Sequence, residues 1–178
     1  MHRLVRLLPQ NVLPIAPRDP EAPIDLIATD WAIPALAYLF DFAFVPSRLY
    51  HICAGRDRSL TVREMIELTV SIFESHPLGQ RWLPIQVPRL VTLSQYEQFD
   101  QVRLQEEDKL LNELLRVLEY FVPHLAMFQA FDNRNATAAL RPSGLQFPPI
   151  REHYRRVVES CLETNWGRRR DQRCQEKS

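Results

Sequence analysis

The sequence predicts a mixed α/β fold that is mainly helical. Strand-like and helix-like segments alternate between residues 24 and 73, and one of these helices begins with a complete capping box, Thr61-x-x-Glu64. Apolar residues at helical spacing also fill residues 149–163. Because such alternation is typical of parallel strands joined by crossover helices, we expect a parallel sheet.

The first strand–helix unit lies close to a run of prolines. Residues 24–28 (IDLIA) predict a short strand, and residues 31–40 predict a helix. We expect Thr29 or Asp30 to cap this helix, because their side-chain oxygens can accept a free N–H of the first turn. Pro34 falls in the first or second turn, where a missing N–H costs least.

The second strand–helix unit follows directly. Residues 48–54 (RLYHICA) predict a strand that Gly55 ends, and residues 61–73 predict the next helix. The apolar face of that helix comprises Val62, Met65, Ile66, Val70 and Phe73.

Prolines divide the rest of the chain into connectors and short elements. Pro9, Pro14, Pro17 and Pro20 favour extended or turn conformations, and three prolines in residues 77–95 favour a connector or an edge strand.

Further elements are predicted towards the C-terminus. Residues 105–122 form an amphipathic helix, residues 127–131 a short strand, and residues 135–140 a helix. The last helix covers residues 149–163, with Ile150, Tyr154, Val157, Val158 and Cys161 at core spacing. We expect one domain over residues 1–167 and a polar, disordered tail over 168–178.

The charge balance excludes broad classes of partner. Lys plus Arg and Asp plus Glu both number 22, so no net charge attracts nucleic acid or an anionic membrane. The arginines at 168–170 are interpreted as part of a solvated tail. No apolar run reaches the about 20 residues of a membrane span. The Leu-rich face of residues 110–121 is interpreted as core, or as a docking surface if its partner elements lie elsewhere.

Three cysteines, Cys53, Cys161 and Cys174, are too few for a disulfide framework. This count and the absence of a secretory signal pattern predict a protein of the reducing cytoplasm.

His51 and Cys53 share one face of the predicted strand. A metal site would need two more ligands, and neither a CxxC nor an HxxxH pattern supplies them. Their Cα atoms would lie roughly 7 Å apart, which is long for a thiol and its activating base. Both side chains are therefore interpreted as packed residues, and the sequence predicts no metal site.

The candidate acid–base carboxylates have simpler interpretations. Asp25 and Asp30 could form a pair and Asp132 could act alone. Asp30 and Asp132 are each better interpreted as caps of the helices that follow them.

Three segments, taken in order, resemble one enzyme family. Residues 23–32 (PIDLIATDWA) resemble a late strand-to-helix segment of the extended short-chain dehydrogenase/reductases. Residues 49–55 (LYHICAG) with 59–64 (SLTVRE) resemble that family's last Rossmann strand and the helix after it. Residues 131–148, which begin Phe-Asp-Asn, resemble the segment before its final helix. The likeness spans about residues 10–167 and is greatest to the thioester reductase-like and fatty acyl reductase branch.

The resemblance implies the C-terminal half of such a reductase. That half holds the last strand–helix units of a Rossmann-type parallel sheet and a small helical substrate-binding subdomain. The complete enzyme would use NADP or NAD to reduce an acyl thioester or a related carbonyl. The chain could be a truncated product, one chain of a split protein, or a subdomain.

The family's cofactor loop and catalytic pair are both missing from this sequence. The glycines, Gly55, Gly79, Gly144 and Gly167, are too far apart for a phosphate-binding loop. No tyrosine has a lysine four residues later, because those positions hold Phe42, Ala54, Asp100, His124 and Val158. We therefore expect no bound cofactor and no catalytic residue in this chain alone.

The resulting hypothesis is a substrate-binding portion that is inactive by itself. Trp31, Trp82 and Tyr96, with the connector at 84–96, are the candidates for its pocket walls. Its partners would be a separate N-terminal Rossmann chain or a second copy, together with an acyl thioester-type small molecule. The alternative is a non-catalytic protein–protein interaction module, in which the helices pack together and an unpaired sheet edge binds another chain.

Overall fold

The computed structural model describes residues 5–6, 8–11, 15–103 and 129–166. The predicted helix at 105–122 and tail at 168–178 lie outside these residues. The described part is α/β, with four short strands and five α-helices. In chain order these are β1 (Ile15–Pro17), β2 (Pro23–Ile24), α1 (Thr29–Phe42), β3 (Leu60–Thr61), α2 (Val62–Ser75), β4 (Arg89–Val91), α3 (Leu93–Arg103), α4 (Arg134–Leu140) and α5 (Ile150–Glu163).

The strands form two separate pairs. β1 and β4 are parallel, with Ala16 opposite Leu90, whereas β2 and β3 are antiparallel, with Ile24 opposite Leu60. The predicted parallel pairing of residues 24–28 with residues 48–54 is therefore wrong. The connector at 77–95 does contain an edge strand, β4, as its sequence predicts.

The predicted strand at 24–28 is shorter than expected. Antiparallel pairing would next place Asp25 opposite Ser59, but Ser59 instead donates its N–H and its hydroxyl to the Gly55 carbonyl. The chain turns there, and the ladder ends at Ile24.

Residues 48–54 form no strand, which corrects the prediction. A strand needs a neighbouring ladder, and here side chains bind the backbone instead. Asn135 donates to the Leu49 carbonyl at 3.0 Å, and Asn133 donates to the carbonyls of Cys53 and Ala54. Residues 129–131 of the predicted strand at 127–131 are also irregular.

Helix α1 confirms the predicted helix at 31–40, including Pro34 near its start. The predicted cap is wrong, since Ala28 occupies the N-cap position and no side chain caps the helix. Thr29 and Asp30 occupy the first and second helical positions, where the helix dipole still favours the Asp30 carboxylate.

Helices α2 and α5 form the main core. Both confirm their predicted bounds to within two residues, and the Thr61–Glu64 capping box is present. Phe73 and Tyr154 are almost fully buried in this core. The core also contains Val5, Leu60, Ile72, Ile150, Val158 and Leu162.

One polar pair joins these two helices inside the core. The Thr69 hydroxyl donates to the Met65 carbonyl at 2.7 Å and lies 2.6 Å from the Tyr154 hydroxyl. Because the proton of Thr69 is already donated, Tyr154 donates to Thr69. Burial raises the pKa of Tyr154 to about 12, so this phenol stays neutral and the pair fixes the register of α2 against α5.

Helix α3 was not predicted, although the sequence carries a signal for it. Thr92-x-x-Gln95 forms a capping box, in which the Gln95 side chain accepts from the Thr92 N–H at 3.1 Å and the Thr92 hydroxyl accepts from the Gln95 N–H at 3.3 Å.

In the described residues, every helix is too short or too polar to cross a bilayer.

Two threonine substitutions test the observed caps. Thr61→Ala removes the acceptor for the Glu64 N–H and should lower the free energy of unfolding by about 1 kcal/mol. Thr29→Ala is the matched control, because Thr29 caps nothing, and it should change stability by less than about 0.5 kcal/mol. Urea unfolding measures both; equal losses would contradict the cap assignment.

Candidate functional site

The candidate site is built around the turn at Gly55. The Asp25 carboxylate accepts from the backbone N–H of Ala54 at 2.8 Å and from that of Gly55 at 3.2 Å. Asp25 follows β2, so this bond ties the end of β2 to a segment 29 residues later. Charged acceptors of backbone N–H groups form the stronger class of hydrogen bond.

A third segment, the residues just before α4, contacts the same turn. Asn133, just before α4, donates its amide to the carbonyls of Cys53 at 3.1 Å and Ala54 at 2.8 Å. Gly55 has a φ of +75°, and a Cβ there would lie 2.6 Å from the Asn133 amide nitrogen. Glycine is therefore required both for the backbone conformation and for this close approach.

A pocket of about 290 Å³ opens beside the turn. The pocket lies between four segments: α1, the residues around the turn, α4 and the loop that precedes α5. Side chains from all four segments line it. Its lining residues are Trp31, His51, Cys53, Arg58, Asn133, Ala136, Thr137, Leu140, Arg141, Gly144, Leu145, Gln146 and Phe147.

Aromatic rings form one wall of the pocket. Trp31 and Phe147 meet edge to face, with ring centroids 4.8 Å apart, and the Arg58 guanidinium carbon lies 5.1 Å from the Phe147 centroid. The indole Nε1 of Trp31 is buried and has no hydrogen-bond partner. The same is true of Nε1 of Trp82, which packs against the α2–α5 core, so the unpaired donor does not mark the pocket.

The lining of the pocket is cationic. Arg58 and Arg141 both line it, and within the described part of the chain no aspartate or glutamate does. The combination of an apolar wall with a few charged and polar groups is typical of small-molecule sites.

His51 and Cys53 line the pocket, and the side chain of each contacts backbone carbonyls. His51 Nδ1 lies 2.9 Å from the Asp132 carbonyl, and a carbonyl can only accept, so this nitrogen carries the proton. The Cys53 thiol contacts the carbonyls of His51 and Phe131, each at 3.8 Å. Burial and the nearby Asp25 charge raise the pKa of Cys53, which disfavours a reactive thiolate.

The candidate carboxylates have structural partners. Arg134 binds Asp132 through its side chain and its backbone N–H, and this lowers the Asp132 pKa to about 2. Asp132 thus binds the first N–H of α4, close to its predicted capping role, although Asn133 holds the N-cap position. Asp25 binds two amides and Asp30 is exposed in α1.

The three predicted wall residues lie in three different places. Trp31 lines the pocket, Trp82 packs against the α2–α5 core, and Tyr96 is buried on α3. The sequence prediction missed Arg58, Arg141 and Phe147, because isolated arginines and a lone aromatic residue carry no positional signal.

Two of the three described glycines are closed against protein atoms. A phosphate loop presents open backbone at its glycines. Here a Cβ at Gly79 would lie 2.3 Å from the Phe73 carbonyl oxygen, and Gly55 is covered by Asn133, whereas Gly144 has nothing within 4 Å. Among the described residues, no group of three or more His, Cys, Asp or Glu side chains could hold a metal ion.

Comparison of this chain with family models, curated proteins and solved structures gave no match. The interpretation of the pocket therefore relies on its own geometry.

Substitution of Asp25 tests the turn. Asp25→Asn keeps one acceptor oxygen but turns an amide donor towards a backbone N–H, so it should lower the free energy of unfolding by about 1–3 kcal/mol. Asp30→Asn removes the same charge from an exposed position and should cost less than about 1 kcal/mol. Denaturant unfolding measures the stability of both variants. An Asp25→Asn variant whose free energy of unfolding equals that of the unaltered protein would contradict the role of this carboxylate.

Proposed function

We propose that this chain is the substrate-binding portion of an NAD(P)-dependent reductase that acts on an acyl thioester or a related carbonyl. The supporting observation is the meeting of three segments at one turn. Asp25, Ala54 and Asn133 each come from a different segment that resembles the extended short-chain dehydrogenase/reductases, and hydrogen bonds join Ala54 to the other two. If the three segments resembled this family only by chance, nothing would require them to be in contact with one another.

The pocket beside the turn has the character that this function needs. Trp31, Leu140 and Phe147 offer apolar surface to an acyl chain, and Thr137 and Asn133 offer polar groups close by. Its volume of about 290 Å³ lies near the lower end for small-molecule sites. The role assigned to these residues is to bind and orient a substrate.

No catalytic step is assigned to this chain. The sequence has neither a Tyr-x-x-x-Lys pair nor a glycine-rich phosphate loop. NADP or NAD supplies hydride in the complete enzyme, so the cofactor loop and the proton donor would come from a separate Rossmann chain.

An apolar surface supports the need for such a partner. Ile33, Leu36 and Phe40 share one face of α1 and are 66%, 54% and 78% exposed. Phe42 and Phe44, at and just beyond the end of α1, are also exposed. Contiguous apolar surface of this kind is typical of protein–protein contact, and we propose that the Rossmann chain covers it.

The same surface favours a second candidate function, a non-catalytic interaction module. Such a module would bind a partner through α1 and would have no use for a substrate pocket. The two functions therefore make opposite predictions for small-molecule binding.

Thioester binding separates them. Hexanoyl-N-acetylcysteamine, which carries no phosphate, should bind the purified chain in a calorimetric titration, and its thioether analogue should bind more weakly because it lacks the carbonyl. Trp31→Ala should weaken binding about tenfold through loss of the aromatic wall, whereas Trp82→Phe, which alters a tryptophan away from the pocket, should not.

Two outcomes contradict the proposed function. Absence of thioester binding at millimolar concentration would favour the interaction module. Tight binding of NADPH by this chain alone, measured by fluorescence titration, would contradict the assignment of the cofactor site to another chain.

A further inference from the structure

We infer that the pocket binds a ligand that carries a phosphate group, with the phosphate at Arg58 and Arg141 and an apolar part against Trp31 and Phe147. This inference rests on the proposed function only in taking this pocket as the ligand site. It adds the charge and the chemical class of the molecule that binds there.

The first argument is the uncompensated charge of the two arginines. Arg58 precedes β3 and Arg141 follows α4, yet both line the same pocket. Neither has a carboxylate partner in the described part of the chain. Four other arginines form such pairs, whereas Arg48, Arg81 and Arg89, which lie outside the pocket, have none within the described residues.

The nearby carboxylates are already used elsewhere. The Asp132 side chain is bound by Arg134, and the Asp25 side chain accepts from two backbone amides. No carboxylate among the described residues lines the pocket. Two guanidinium groups without a counter-charge favour a dianion such as phosphate over a single carboxylate, because its two negative charges match the two cations and its oxygens can accept bidentate hydrogen bonds from each.

The second argument is the position of the Arg58 guanidinium. It lies over the Phe147 ring, with its central carbon 5.1 Å from the ring centroid. A guanidinium stacked on a ring keeps the N–H groups at its edge available for an anion. Phe147 in turn packs on Trp31, so the cation and the apolar wall are parts of one assembly.

The pocket thus combines two cations with an aromatic surface formed by Trp31 and Phe147, which together match an amphiphilic organic phosphate.

Phenyl phosphate is the probe that tests this inference. It combines a ring with a dianion, whereas inorganic phosphate has only the charge and phenol has only the ring. In calorimetric titrations of the full chain at low salt, phenyl phosphate should bind at least about tenfold more tightly than either control.

Arginine variants locate the binding. Arg58→Gln and Arg141→Gln should each weaken phenyl phosphate binding about tenfold. Arg63→Gln removes the same charge outside the pocket and should leave binding unchanged. Circular dichroism checks that each variant is folded, and both pocket arginines are exposed, so their replacement should not affect folding.

Each remaining outcome overturns the inference. It is wrong if folded protein does not bind phenyl phosphate, if both pocket variants bind normally, or if Arg63→Gln weakens binding equally, which would show general charge attraction. The thioester used for the proposed function carries no phosphate. Thioester binding without phosphate binding would therefore reject this inference alone, and the reverse result would reject the reductase proposal alone.

Discussion

The arrangement of the pocket depends on how the backbone at Ala54 and Gly55 is satisfied. These residues lie in an irregular segment, so no ladder provides partners for their N–H and C=O groups. A carboxylate accepts the two N–H groups and an amide donates to the adjacent carbonyls. Because the partners come from Asp25 and Asn133, this requirement fixes the end of β2 and the start of α4 against one turn.

The two ends of the described structure differ in how completely they are packed. Helices α2 and α5 enclose a core with Phe73 and Tyr154 at its centre. Helix α1 buries only Ala35 and Leu39 and leaves large apolar side chains exposed. The pocket lies on the inner side of α1, where Trp31 packs with Ala35, Leu39 and Leu140, whereas the exposed apolar residues lie on the outer side of this helix.

The helices could be predicted from the sequence because their signals are local. The Thr61–Glu64 capping box and the apolar spacing of α5 act within a few residues of each other, and both predictions are confirmed. Strands depend on distant partners, so residues 48–54 have a strand-like composition but form no ladder. The pocket could be predicted only through Trp31, because the positions of Arg58 and Phe147 depend on tertiary contacts that no local pattern encodes.

Amide hydrogen exchange measured by NMR tests the central claim most directly. The account predicts that the Ala54 and Gly55 amides exchange far more slowly than amides of an exposed loop such as that at Leu49, because the Asp25 carboxylate holds both. Asn133→Ala should accelerate exchange at these two amides and leave the amides of α5 unchanged. Exchange at Ala54 and Gly55 as rapid as at Leu49 in the unaltered protein would contradict the account.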